Sequence, residues 1–593
     1  MKKTIALLLV LVLSLSLLAG CGSKAPAEAP AATTAPAAEA PATEAPAAEA
    51  PSAADLVSDA FIDPVTEWDQ YNTLIADIKS ATDYAERTEM MHQAEDILMS
   101  NYCVVPLYYY NDIYMQKDYV DGIFSNLFGT KFFMFATMSN GATTLRLNLA
   151  SEPAFLDPAL NSSVDGACLA ANSFSGLYSY NAEGHTEPAC ATGYTVSDDG
   201  LNYTVTLREG LKWSDGSDLT AADFEYAWKR AASETTAADY GYMFGGFAGY
   251  PNELAVTAVD DTTLEFTLTA PCAYIEDLMA FPTFFPVKQA AVEAADGWET
   301  APGAWCQDAG FVSNGAYVCT AWAHDTSMTY TKNPYWYDAD KVTVETLEFM
   351  LSADDTAIYG AYNDGSIDFA DTVPTDEIAT LLAEENPEFH IIDNLGTYYA
   401  AFNCKSDLFA DKTPEQAACM RKAMSILIDR DYICENVGQT GQVAANAYIP
   451  LGMADGNGGV FKTDATAEGY YDPYAINNDM EGTLEEARQL LMAAGYKFGD
   501  DGMLSAETPI QLTYLTNDGS GHVAVAESMQ QDFAALGIEM TIEKMDWNVF
   551  LEERKNGNFD FCREGWLADF NDPINMLEMW ITESGNNDCQ FGR

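Results

Sequence analysis

Three kinds of hydrophobic and polar pattern follow one another along the chain. The first is a 14-residue apolar run, Ile5 to Leu18, behind Lys2 and Lys3. It is too short to cross a bilayer as a mature helix and reads as a leader, residues 1–20. The second is an absence of pattern. Residues 21–58 include "APAEAPAATTAPAAEAPATEAPAAEAP" and offer almost nothing large to bury, which predicts an extended linker. At ~3.1 Å per residue over roughly 30 residues it could hold a body up to ~90 Å from its anchor.

The third pattern is periodic and runs to the end. "AERTEMMHQAEDILMSN" puts Met90, Met91, Ala94, Ile97 and Leu98 on one helical face, and "VVPLYYYNDIYMQKDYV" reads as strand and turn. After the polar stretch 139–144, Leu145, Leu147 and Leu149 alternate as in a strand. Tyr203, Val205 and Leu207 do the same, before a turn at Asp215-Gly216 and a helix capped by Thr220 with Asp223. A further helix is expected to start at a capping box of Thr483 and Glu486. It would bury Leu484, Ala487, Leu490 and Leu491 and stop at Gly495. Strands and helices alternate throughout, which predicts an α/β fold.

Charge narrows the function. Ninety acidic against 28 basic side chains give a net charge of −62, which excludes nucleic acid as a partner. The leader ends in Leu18-Ala19-Gly20-Cys21, which resembles a bacterial lipobox; processing would leave lipid on Cys21 and tether the protein outside the membrane. The other eleven cysteines form no C-x-x-C and none stands near a His at zinc-ligand spacing. Eleven is odd, so at least one thiol is free; free buried thiols are expected, and no pairing is assigned. The sequence has no G-x-S-x-G, P-loop, H-E-x-x-H or dinucleotide fingerprint. No enzyme, cofactor or metal is called for.

Several stretches, taken together, resemble the extracellular solute-binding proteins of the oligopeptide and dipeptide class, the receptors of bacterial ABC importers. They include "LRLNLASEPAFLDPAL", "LREGLKWSDGSDLTAADFEYAWKRA", "FPTFFPV", "KNPYWYDADKV", "YNDGSIDFADTVP", "EEARQLLMAAGY" and "GWLADFNDP", in the family's order over 143–593. Material that the family carries after this point stands at the front here, as "TEWDQYNTLIADI", "ERTEMMHQAEDILM", "VVPLYYYND" and "GTKFFMFATM". The resemblance therefore implies an α/β, two-lobed, type II periplasmic-binding-protein-like fold of the large peptide-binding class, with three domains in circularly permuted order. Residues 59–103 would be the relocated part of the second ligand lobe and 104–138 the relocated tail of the first. The first lobe would comprise 139–185 and 311–395, an additional domain 186–310, and the second lobe 396–593.

The resemblance also implies a ligand and a site. The ligand is a peptide, delivered to permease subunits in the membrane by a lipid-anchored monomer on the outer face. A non-transport peptide sensor would have the same pocket, and dipeptides, nickel chelates and haem are other family ligands. Asp569 matches the acid that receives the peptide's α-ammonium, and Gly565 and Leu567 would offer backbone groups. Trp566 and Trp547 match pocket tryptophans, with core packing as the alternative. Arg554, Arg563 and His522 are candidates for the carboxylate end; guanidinium forks suit carboxylates, and His522 could equally be a surface residue at a helix start. Tyr398, Tyr399 and Tyr109 match pocket-lining positions, although some rings of "YYY" must face the core.

Overall fold

The computed structural model describes residues 51–149, 152–462 and 480–593. The leader, Cys21 and most of the expected linker lie outside them. The end of that linker is folded, however. Ala53–Asp55 form a 3-10 turn after Ser52, Ala53 is buried, and its carbonyl accepts from the Cys419 thiol on the helix Pro414–Leu427. Leu56 and Val57 pack against the same core, so the boundary at 58 moves back to about Pro51.

The main sheet contains β1 (Val104–Gln116), β2 (Thr144–Asn148), β3 (Tyr317–Ala323), β4 (Ser327–Lys332), β5 (Thr346–Met350), β6 (Phe369–Ala370), β7 (Phe389–Phe402), β8 (Val443–Ala444), β9 (Gln511–Asn517), β10 (Glu539–Met545) and β11 (Phe561–Leu567). Their spatial order is β3-β4-β5-β2-β6-β1-β7-β11-β9-β10, with β8 paired to β1. The leucine alternation is satisfied in β2, whose Leu145 and Leu147 are fully buried.

Two strands are much longer than the rest. β1 has 13 residues and β7 has 14, and they pair antiparallel over most of their length. Register breaks fall between Pro106 and Tyr108 and between Tyr109 and Asn111. On one side of the breaks Val105, Leu107, Tyr398, Ala400 and Phe402 share a core with the helices Pro414–Leu427, Met480–Ala493 and Ser520–Ala534. On the other side Met115 packs with Ile358, Tyr362 and Ile378. The sheet borders a third and larger core as well, through Val104, Leu145, Tyr399 and Ala401, and β1 and β7 contribute to all three. The crossing in β1 lies at Tyr109–Asn111, several residues beyond the 103/104 boundary expected from sequence. Gly396 marks it in β7: a Cβ there would stand 2.5 Å from the Trp566 carbonyl of β11.

A separate four-stranded antiparallel sheet (Ala191–Val196, Asn202–Leu207, Val256–Asp260, Thr263–Thr267) occupies the 186–310 region. The helix Ala221–Ala232 covers it, started by the expected Thr220–Asp223 box, with Thr220 N–H donating to Asp223 Oδ2 at 2.8 Å. The other expected box is corrected. That helix runs Met480–Ala493, so Thr483 lies inside it, since Met480, Glu481 and Gly482 add helical residues ahead of it. Gly495 does end it, at φ +92°.

The front segment is integral to the molecule. Trp68 is 1% exposed, stacks on Phe591 at 4.1 Å, and donates to the Trp580 carbonyl at 2.9 Å. Tyr71 donates to the Leu577 carbonyl (2.9 Å), and Arg87 grips Asp572 with two bonds of 2.9 and 2.8 Å. Further along, Phe133 N–H donates to Asn172 Oδ1 (2.8 Å), Asn172 Nδ2 donates to the Lys131 carbonyl (2.8 Å), and Thr343 donates to the Ala136 carbonyl (2.9 Å). All eleven cysteines after Cys21 are free thiols, ten of them buried.

Candidate functional site

β11 has two unlike edges. One stays paired to β7 from Phe561 to Leu567. The other meets β9 only at Phe561 and Cys562. From Arg563 onward that second edge has no strand partner among the described residues, and beside it lies a cavity of about 430 Å³. A half-open strand edge on a cavity can take a further strand through main-chain hydrogen bonds.

Eight of the eleven expected site residues line the cavity: Asp569, Trp566, Gly565, Leu567, Trp547, Arg554, Arg563 and His522. Three do not. Tyr109 turns the other way, its hydroxyl 3.4 Å from Asn446 Oδ1 and 3.3 Å from the Ala447 carbonyl. The next residue, Tyr110, takes the cavity wall, because a one-residue step in a strand reverses the face. Tyr398 lies behind the wall, stacked on Tyr108 at 4.7 Å and hydrogen-bonded to His522 Nδ1 at 3.0 Å. Tyr399 faces away, edge-on to Tyr448 and Trp580. Gly565 is required by Tyr110, whose hydroxyl would stand 2.1 Å from a Cβ at that position.

Asp569 follows β11 by two residues and is 8% exposed. Its hydrogen-bond partners are neutral. Asn575 Nδ2 donates to Oδ2 at 2.9 Å, and the Tyr240 hydroxyl donates to Oδ1 at 3.3 Å. Burial pushes the carboxyl up to about 7; the two hydrogen bonds pull it down and Glu578 adds a push upward. Asn575 was not anticipated, although it holds the corner together. Its Oδ1 accepts from Trp566 Nε1 and from the Asp569 N–H, each at 3.0 Å. Tyr240 was not anticipated either, and no sequence signal connects it to a residue 329 positions away.

The two arginines differ. Arg554 is clamped between Glu564 Oε2 and Asp588 Oδ2, both at 2.9 Å. Arg563 has no carboxylate within 4.0 Å among the described residues. Its guanidinium lies over the rings of Tyr398 (5.3 Å) and Trp547 (5.7 Å). Burial and the nearby Arg563 hold His522 well below its ordinary value, so it is neutral. On the opposite wall Lys131, 3% exposed, pairs with Asp112 (2.6 Å) and Asp371 (2.7 Å). Asp165 stands near them, its carboxyl raised to about 6 by burial. Among the described residues no group of three or more His, Cys, Asp or Glu is placed to hold a metal ion.

The site is thus a half-enclosed, strand-edged cavity, with the Arg563 guanidinium on the strand and a buried acid just beyond its end. The comparisons give the class. Residues 185–588 match the model of the bacterial extracellular solute-binding proteins, family 5, and the chain belongs to that family. The oligopeptide-binding protein OppA of Bacillus subtilis is 32% identical over 464 residues, covering 76% of this chain and 79% of that one. Among solved structures, the murein tripeptide-binding protein MppA of Escherichia coli is 28% identical with a TM-score of 0.65, covering 76% of this chain and 84% of its own. OppA of Listeria monocytogenes bound to peptide is 27% identical with a TM-score of 0.65, covering 76% and 86%.

Proposed function

We propose that this protein binds peptides, with the α-ammonium on Asp569, the backbone along the open edge of β11 and the carboxylate directed to Arg563. The observation that carries this reading is the environment of Asp569: a carboxylate removed from water, at the cavity, hydrogen-bonded by the neutral donors Asn575 and Tyr240 and paired with no cation within 4.0 Å among the described residues. Burying an ionised carboxylate without a cation is costly, and an incoming ammonium supplies one through a short, charge-assisted bond. Arg563 serves the far end because Arg554 is already neutralised by Glu564 and Asp588. The relatives named for oligopeptides and murein tripeptide support the ligand class.

Closure belongs to the same proposal. Lys555 Nζ bonds Asp239 and reaches Ser162 Oγ at 3.2 Å, and Ser520 N–H donates to Asp355 Oδ2 at 3.1 Å. These bonds join the β11 side of the cavity to the other wall. A ligand that touches both walls favours the closed form by differential affinity. The closed protein would then deliver its peptide to the permease of an ABC importer from the outer face of the membrane, tethered through lipid on Cys21. Among the described residues no helix is long and apolar enough to cross a membrane.

The chain order is part of this reading. Residues 59–138 act as the family's C-terminal portion placed ahead of the rest, and the contacts of Trp68, Arg87 and β1 with the remainder support it. Moving 59–138 to follow Arg593 should give a protein that folds and binds the same ligands; loss of both would remove the permutation from the proposal.

The ligand itself is tested by titration calorimetry with alanine peptides of three to five residues. Free-amine peptides should bind, and N-acetylation should weaken them by about 100-fold or more, the scale of a lost buried ion pair. Equal affinities with and without the acetyl group would end the Asp569 role.

A further inference from the structure

Asp239 and Tyr240 are adjacent in one loop of the 186–310 region, and each holds a different part of the β11 side of the cavity. The Tyr240 hydroxyl donates to Asp569, just beyond β11. Asp239 accepts from Lys555 Nζ, in the last turn of the helix Trp547–Lys555, and Lys555 also donates to Ser162 Oγ at 3.2 Å. Trp547, Leu551 and Arg554 of that helix line the cavity, and Ser162 lines it from the opposite wall. Asp239 and Lys555 do not line it. Their bond joins the two walls from outside the space a ligand would fill.

The loop is shaped to present this acid. Thr236 N–H donates to the Ser233 carbonyl at 3.0 Å and Gly241 N–H to the Ala238 carbonyl at 2.9 Å, with Ala237 between them at φ +50°. Gly585 passes close against it; a Cβ there would stand 3.0 Å from Asp239 Oδ1 and 3.2 Å from Asp239 Cα. The ion pair is isolated. Neither partner has another opposite charge within 4.0 Å among the described residues, and the Lys555 and Asp239 side chains are 29% and 24% exposed. The other cross-cleft contact differs in kind. Asp355 accepts from Ser520 N–H at 3.1 Å, from the Ser520 hydroxyl, and from the Thr372 hydroxyl at 3.2 Å, all neutral donors.

We infer that Asp239 and Lys555 form an electrostatic latch across the cleft, which sets how long the closed form persists and makes that time depend on ionic strength. The inference rests on the proposed closure. Parting the walls must separate these two charges before a ligand leaves, whereas a ligand entering the open form meets them already apart. The pair therefore acts on release and not on entry. A pair about one-quarter exposed stays within reach of screening ions.

The test follows tetra-alanine by stopped-flow tryptophan fluorescence, read from Trp547 and Trp566 at the cavity. Lys555→Met and Asp239→Asn should each raise the dissociation rate about fivefold and leave the association rate within about twofold of wild type. The double variant should match the single ones, and the exchanged pair, Asp239→Lys with Lys555→Asp, should bring release back to within about twofold of wild type. Raising salt from about 0.05 M to about 0.5 M should speed wild-type release about threefold and leave Lys555→Met unchanged. Ser520→Ala removes a neutral bond and should keep that salt response. Unchanged release in the single variants, additive losses without rescue by exchange, or a salt response that survives in Lys555→Met overturns the inference. Small-angle X-ray scattering of the peptide-free proteins reads the latch without a ligand, and Lys555→Met should be more open than wild type. If no tetra-alanine binds but this opening is seen, the proposed function falls and the latch stands. If tetra-alanine binds and release is unchanged in the variants, the latch falls and the function stands. With neither binding nor opening, both fall.

Discussion

Glu564 and Asp569 lie five residues apart on one strand and the loop that follows it, and both are almost fully buried. Burial raises both carboxyls, yet their surroundings differ. Glu564 meets Arg554 at 2.9 Å, and the same guanidinium takes Asp588, so its charge is settled within the protein. Asp569 has an amide and a phenol. On the proposed function, the contrast separates a structural charge from a functional one at similar burial: the first has its counter-ion in the chain, and the second would take its own from the ligand.

The largest expected effect breaks that contrast directly. Asp569→Asn should weaken free-amine peptides by about 100-fold or more, with little effect on acetylated ones, because it deletes the charge proposed to meet the ammonium. It should also leave the ligand-free protein at least as stable at pH 7.5, since it removes a buried charge that lacks a cation. Glu564→Gln should do the reverse, costing about 2 kcal/mol of stability by leaving Arg554 half-compensated while changing peptide affinity little. Calorimetry and thermal melting read the two quantities. If Glu564→Gln carried the affinity loss, the roles would be exchanged.

The sequence made one half of this contrast readable. Asp569 stood out because "GWLADFNDP" matches a motif. That signal is local. The partners that decide what each acid does come from elsewhere: Tyr240 from a region 329 positions away, and Asp588 from a loop that composition marks only as a turn. Which of Arg554 and Arg563 is neutralised was unreadable for the same reason. The tyrosines failed differently. "YYY" predicts a strand correctly, but alternation alone fixes two rings against one and leaves open which set faces the cavity; the register with β7 and the notch at Gly565 decide for Tyr110. Fold class was legible from periodicity, whereas the crossing of β1 at Tyr109–Asn111 depends on two register breaks, set by pairing with β7, that periodicity does not show.

The arginines extend the contrast to the positive charges, with a smaller effect. Arg563→Met should weaken free-carboxylate peptides by about tenfold and C-amidated ones much less, as expected for one charge-assisted bond in a partly hydrated pocket. Arg554→Met should act on folding, because it strands Glu564 and Asp588 together; the loss should be about 3 kcal/mol, seen as a lower melting temperature. Equal affinity losses in the two variants would mean that Arg554 also reaches the ligand.

The smallest effect is a pH dependence, and its sign discriminates. Burial pushes the Asp569 carboxyl up to about 7 in the ligand-free protein, from the ordinary carboxylate value of 3.8. The ammonium needs the ionised carboxylate, so binding below that value expels a proton, and affinity should fall about tenfold per unit once well below pH 7. Above it the limit passes to the peptide, whose α-amine loses its proton near 8. The optimum therefore lies between about 7 and 8, with a drop of only about threefold from pH 7.5 to 6.5. The folded protein binds this proton more tightly than the unfolded chain does. The contribution of Asp569 to ligand-free stability is therefore most favourable below about pH 4 and declines as pH rises through 7, and Asp569→Asn should lack that decline. A peptide affinity that stayed flat from pH 5 to 7.5, with the acetylated control equally flat, would mean that Asp569 keeps its charge without a ligand. The difference between it and Glu564 would then lie in geometry rather than in an unmet charge.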